Sequence, residues 1–100
     1  MPLVAAGEGA VWIEVSSFRL RSGLVLRIDP FLDSVENAFS VGAQPSGIAA
    51  GLGSVWVTSA VGGTLSRVDP GSGEILAQLD VGKTPTDVTV GEGLVWIAVA

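Results

Sequence analysis

Ile48-Ala49-Ala50-Gly51-Leu52-Gly53-Ser54-Val55-Trp56-Val57 occurs three times in this chain with small changes. The other copies are Val4-Ala5-Ala6-Gly7-Glu8-Gly9-Ala10-Val11-Trp12-Ile13 and Val88-Thr89-Val90-Gly91-Glu92-Gly93-Leu94-Val95-Trp96-Ile97. In each, a short apolar run ends at Gly-x-Gly and a second run built on Val-Trp follows, which is how two strands and a tight turn are written. The tryptophans lie 44 and 40 residues apart, and two further markers keep the same register. Arg27-Ile28-Asp29-Pro30 matches Arg67-Val68-Asp69-Pro70, and Val41-Gly42 with Pro45 matches Val81-Gly82 with Pro85. A fixed period of this size marks an array of structural repeats. The four extra residues of the first repeat fall between Trp12 and Asp29, and are expected in the loop there.

Each repeat divides into four strand-like runs, A to D, separated by Gly, Pro, Asp and Ser. In the second repeat these are expected at 47–50, 55–58, 64–69 and 74–80. Glycine spacing and the lack of a sustained 3.6-residue period argue against helix throughout. The predicted class is all-β, with four-stranded antiparallel sheets in one partial domain over 1–100, divided into repeats 1–44, 45–84 and 85–100. The chain then holds A-B-C-D twice and A-B once.

The Gly-x-Gly turn suits a hairpin with positive φ at one or both glycines. A dinucleotide-binding Gly-x-Gly-x-x-Gly is excluded, because the sixth position is tryptophan and a strand follows rather than a helix. Asp29-Pro30 and Asp69-Pro70 read as turns, with Pro presetting φ and the carboxylate accepting a nearby backbone N–H. A calcium loop on Asp29 and Asp33 lacks further oxygen ligands, and Gly73 replaces Asp33 in the second copy. In strand B the tryptophan alternates with Val or Ile, so both faces are apolar and the strand needs cover twice. An indole at the same place in every repeat fills the gap between neighbouring sheets, and removing a buried one costs roughly 3 to 5 kcal/mol.

Composition narrows the function classes. The chain is 48% hydrophobic and 15% charged, with a net charge of −5 and scattered basic residues, so nucleic acid is not an expected partner. Without cysteine there are no disulfides and no thiolate chemistry, while the compartment stays open. The start at Met1 lacks a basic region and its apolar run stops at Glu8, so no signal peptide is read. Residues 37–66 are uncharged, but their glycines and Pro45 are spaced as turns, so no membrane span is expected and the chain reads as soluble.

Gly53-Ser54-Val55-Trp56-Val57-Thr58-Ser59, then Gly63 to Glu74 with its Arg67-Val68-Asp69-Pro70, and Val81-Gly82-Lys83-Thr84-Pro85 resemble the blades of bacterial YVTN-type and virginiamycin B lyase-like β-propellers. The likeness covers nearly the whole chain. It implies a closed ring of six or seven blades, so the present chain is expected to be an incomplete ring. Such repeats bury their faces against neighbours, leaving an apolar face bare at each end. The expected partners are the remaining blades of a longer chain, or further copies of this one. A fragment is preferred, because a terminal A-B half-blade does not join neatly onto a copy that begins with A-B.

Strand direction sends the D-to-A and B-to-C connections to one rim. By the resemblance, that rim surrounds the channel mouth and takes a protein or small-molecule ligand. The candidate residues are Phe18, Arg19 and Arg21 in the first B-to-C loop, and Gln44, Lys83, Thr84 and Asp87 in the D-to-A loops. No cofactor, metal site or catalytic residue is expected. There is no histidine, cysteine or tyrosine, one lysine only, and no recognisable carboxylate pair. The expectation is a non-catalytic scaffold, binding or sensor segment. The alternative is part of a lyase-like or other propeller enzyme whose catalytic residues lie elsewhere; the resemblance implies a histidine for lyase chemistry, and these blades have none.

Overall fold

The computed structural model describes residues 3–17, 22–32, 34–41, 45–60, 62–82 and 84–99. They form ten strands: β1 (Leu3–Gly7), β2 (Ala10–Ser17), β3 (Ser22–Asp29), β4 (Ser34–Ser40), β5 (Pro45–Gly51), β6 (Ser54–Ser59), β7 (Thr64–Val68), β8 (Ile75–Asp80), β9 (Pro85–Gly91) and β10 (Leu94–Val99). Two antiparallel four-stranded sheets run in chain order, β1-β2-β3-β4 and β5-β6-β7-β8, and β9 pairs β10 as a third. These are propeller blades, two whole and one half, and they do not close into a ring. No helix among the described residues is long and apolar enough to cross a membrane.

The blades stack face to face. The first A strand, β1, runs beside β5, and β5 beside β9. Trp12, Ala10, Val25 and Val41 of the first blade bury against Ile48, Val55, Val57 and Val68 of the second. On the second blade's other side, Trp56, Ala49, Leu65 and Val81 meet Val88, Val90, Val95 and Ile97 of the third. Among the described residues, only the middle blade is covered twice. Burial of the tryptophans falls accordingly, from Trp12 at 0% exposure through half-buried Trp56 to Trp96 at 54%. The first blade's outward side is likewise bare, with Val4, Val15 and Leu24 exposed.

Each indole also makes the same bond. Nε1–H of Trp12, Trp56 and Trp96 donates to the carbonyls of Gly7, Gly51 and Gly91, at 2.9, 3.0 and 3.1 Å. Each large apolar ring thus has its one polar atom satisfied and pins the end of strand A to strand B.

The Gly-x-Gly turn has the expected positive φ at a glycine and adds a second left-handed residue before it. Positive φ falls on the middle residue and the second glycine: 51° and 79° at Glu8 and Gly9, 52° and 77° at Leu52 and Gly53, 52° and 71° at Glu92 and Gly93. Two successive left-handed residues make the hairpin turn that matches strand twist. The first glycine serves packing, and at Gly7 it also takes a positive φ of 148°. A Cβ on Gly51 would lie 2.8 Å from the Val90 side chain, and one on Gly7 would lie 3.1 Å from Ala50.

Two further expectations shift. The four extra residues of the first repeat do not enlarge the loop: four residues, 18–21, separate β2 from β3, and four, 60–63, separate β6 from β7. The strands lengthen instead, so that β2 and β3 pair from Val11↔Ile28 to Ser17↔Ser22, whereas β6 and β7 pair from Val55↔Val68 to Ser59↔Thr64. Adding two residues to each strand keeps every side chain on its face, as the two-residue period demands. Strand A begins earlier than expected, at Pro45 and Pro85, because a bulge at Ser46 and Thr86 lets the preceding proline pair with strand B.

Two predictions follow from this packing. Trp12→Ala will lower stability by about 3 to 5 kcal/mol in urea unfolding, while Trp96→Ala, half in water already, will cost about 1 kcal/mol or less. Gly51→Ala will destabilise by about 1 kcal/mol or more, and Gly91→Ala, where an added Cβ meets nothing within 4 Å, will stay within about 0.5 kcal/mol.

Candidate functional site

Of the seven residues expected on the ligand rim, Phe18, Arg19, Arg21, Gln44 and Lys83 lie outside the described residues. Thr84 is exposed just before β9. Asp87 stands within β9 rather than in a loop, paired with Ala98, because the strand begins at Pro85. Its carboxylate accepts the N–H of Val88 at 2.8 Å. With Thr89, Trp96 and Ala98 it lines a recess of about 240 Å³ on the third blade's uncovered side. Asp87 is therefore joined to Trp96 across a sheet face, a juxtaposition that its place before a glycine-free stretch of strand did not announce.

Polar groups bridge the blades at three levels. Glu8 Oε1 accepts the N–H of Gly53 at 3.0 Å, tying the first A-B turn to the second. Ser46 Oγ lies 2.9 Å from Thr58 Oγ1 and donates to Pro85 O at 2.8 Å, linking the second blade to the start of β9. Arg27 Nη1 donates to Pro70 O at 2.8 Å, joining strand C of the first blade to the C-D turn of the second. Arg27 also sits 5.7 Å over the Trp12 ring, as Arg67 sits 5.5 Å over Trp56. These are cross-strand pairs, Trp12↔Arg27 and Trp56↔Arg67, so each guanidinium rests on the indole beside it. Arg27 Nε is 3.3 Å from Glu36 Oε2 yet lacks a hydrogen bond, so that pair is Coulombic.

One carboxylate stands apart. Glu14, at 2% exposure, occupies the place held by Thr58 in the second blade and Ala98 in the third, two residues beyond the tryptophan on the inward face. Its Oε1 lies close to Gly23, where an added Cβ would also strike Pro45 of the next blade. Its alternation with Trp12 placed it on the buried face, and that was the signal available in the sequence. Among the described residues no three His, Cys, Asp or Glu side chains gather as a metal site.

The Asp-Pro turns behave as expected. Asp29 Oδ1 accepts the N–H groups of Phe31 and Leu32 at 2.8 and 3.2 Å, and Asp69 Oδ1 those of Gly71 and Ser72 at 2.7 and 3.2 Å. Chiefly the Phe31 N–H holds the Asp29 carboxyl below its ordinary value of 3.8; the Leu32 N–H, Glu36 and the Arg27 charge add to this, against the opposing effect of desolvation.

No family model matches the chain, and no curated protein matches it. Among solved structures, the crystal structure of Myxococcus xanthus glutaminyl cyclase superposes with a TM-score of 0.73 at 11% sequence identity. The match covers 97% of this chain and 42% of that one. A likeness at such low identity establishes shared fold alone, and the present chain spans less than half the length of its neighbour.

A carboxyl held low binds its proton less readily in the folded chain than in the unfolded one. The Asp29 turn therefore contributes stability above the unfolded value near 3.8, and that contribution fades as pH falls through the lower folded value. Carboxyl-carbon NMR will show Asp29 titrating below 3.8, and Asp29→Asn will remove its share of the acid-side loss of stability.

Proposed function

We propose that this chain is a non-catalytic propeller segment that serves as a scaffold and binds ligand or protein, or senses, through the rim carrying Phe18, Arg19, Arg21, Gln44, Lys83 and Thr84, with Asp87 beside it. The observation that carries this reading is the use of the recurring chemistry. All three indole N–H groups and the Ser46 and Thr58 hydroxyls are engaged in holding strands and blades together. The sequence offers no histidine, cysteine or tyrosine to take over acid–base or nucleophilic work. Three of the five basic residues, Arg19, Arg21 and Lys83, belong to the rim segments, which favours an anionic ligand on a chain of net charge −5. The bare apolar faces of the first and third blades support further blades as structural partners, either from a longer chain or from other copies.

A second reading has its own support. The motifs resemble YVTN-type and virginiamycin B lyase-like blades, and the similar solved structure is that of a glutaminyl cyclase. On this reading the chain is part of a propeller enzyme whose catalytic residues lie in other blades.

Titration with citrate, followed by amide NMR, will shift resonances of the rim segments. The triple variant Arg19→Ala, Arg21→Ala, Lys83→Ala will bind roughly ten-fold more weakly, as the loss of three exposed charge contacts implies. Shifts spread over the sheet faces and insensitive to those substitutions would sink the rim reading. His, Glu or metal-ligand clusters on the rim of further blades, read from the complete open reading frame, would favour the enzyme instead.

A further inference from the structure

The two C-D turns share a backbone and differ in what they display. The Asp-Pro that ends strand C is followed by Gly71-Ser72 in the second blade and by Phe31-Leu32 in the first. In both, the Asp carboxylate accepts the N–H groups two and three residues on, so the two turns are held alike. Phe31 and Leu32 are 92% and 73% exposed. A neighbouring blade does not change this, because Gly71 and Ser72 also stand in water. Yet the first blade reaches that second turn on both sides of its tip, with Arg27 donating to Pro70 O and Phe39 so near Gly73 that an added Cβ would strike its ring. The tip of the turn therefore lies outside the blade-to-blade contact, and blade packing has no use for two large apolar side chains there. A turn already fixed by its own hydrogen bonds presents them at little further cost in entropy on binding.

Charge decides what can cover them. The A-B and C-D turns leave the blades at the same end, and that end carries the carboxylates of Glu8, Asp29, Glu36, Asp69, Glu74 and Glu92. Among the described residues its cations are Arg27 and Arg67, which lie over Trp12 and Trp56 and donate to Pro70 O and Ser54 Oγ. The surface around the tip is therefore anionic. We propose that Phe31-Leu32 is the anchor of a protein-binding surface, and that its partner is a basic segment whose apolar side chains close over the pair while its lysines or arginines face the surrounding carboxylates. Burial of the anchor supplies most of the affinity, and the acidic surround steers and selects the partner. An anionic membrane would be repelled by the same charges. The surface lies at the end of the blades opposite the ligand rim and is independent of that reading.

The test titrates the full chain with a capped basic amphipathic peptide, Lys-Leu-Ala-Lys-Leu-Ala-Lys-Lys-Leu-Ala-Lys, and follows amide NMR. Shifts will centre on the turn between β3 and β4. The double variant Phe31→Gly, Leu32→Ser, which copies the second blade's turn and so keeps a sequence this fold already accepts, will bind about ten-fold more weakly with unchanged urea unfolding. The same peptide with glutamate in place of lysine will leave the turn unshifted. The proposal is overturned if the double variant binds as well as the wild-type chain, or if the glutamate peptide binds as well as the lysine one. It is also overturned if the turn is already covered in a concentration-dependent oligomer, which would make a second copy the occupant. Binding of neutral phosphatidylcholine vesicles through Phe31 and Leu32 in preference to the peptide would overturn it in favour of lipid.

Discussion

Close stacking of one sheet on the next is the constraint to which the other features answer. Successive A strands approach until no Cβ fits between Gly51 and Val90, and the wider gap farther out is filled by an indole. Because the indole is long and carries one donor, the gap and the donor must both be dealt with. The carbonyl of the first turn glycine settles the second matter at every repeat. The same glycine thus permits the approach through its missing side chain and anchors the filler through its backbone. A repeat unit in which one residue does both is compact, but it is stable only in company, since the filler of each blade is buried by the blade after it.

Polar links between blades are less regular than the apolar ones. The first interface has a glutamate reaching the neighbouring turn and an arginine reaching the neighbouring proline carbonyl. The second has Leu52 where the glutamate stood, and relies on the Ser46 hydroxyl bridging Thr58 and Pro85. Arg67 turns inward there, giving its Nε–H to Ser54 at 2.7 Å. The apolar packing sets the spacing, and each interface then pairs its polar groups with whatever the local sequence supplies, leaving Arg27 Nε buried beside Glu36 without a hydrogen bond.

The architecture was legible because its causes are short-range and repeated. Tryptophan at a period of about 40, glycine pairs at the turn and Asp-Pro at the next each act within a few residues, and three copies cross-check one another. Features with long-range causes were not legible. The steric role of Gly51 depends on Val90, 39 residues away, and the burial of Trp12 as against Trp96 depends on which blade has a neighbour. The bulges at Ser46 and Thr86 carry no local mark beyond a proline before them, so Asp87 looked like a loop residue. Glu14 was hidden by its own type, because a carboxylate on an apolar face contradicts the pattern that reveals the face. Of the rim, the sequence gives membership by strand direction and little else.

The outer strands carry one more recurring detail. Opposite Arg27 and Ile28 the first blade's β4 fits in Glu36 as an extra residue, and opposite Arg67 and Val68 the second blade's β8 fits in Leu76. These strands form the blades' outer margins, and Ile75, Leu76 and Leu79 leave the second margin apolar and open to water. A straight margin of that composition would be a template for fibrillar growth. The inserted residue puts a kink and extra twist into it, so a foreign strand finds only a few backbone groups in step at a time. The irregularity recurs in both outer strands and leaves each a poor template for edge-to-edge pairing.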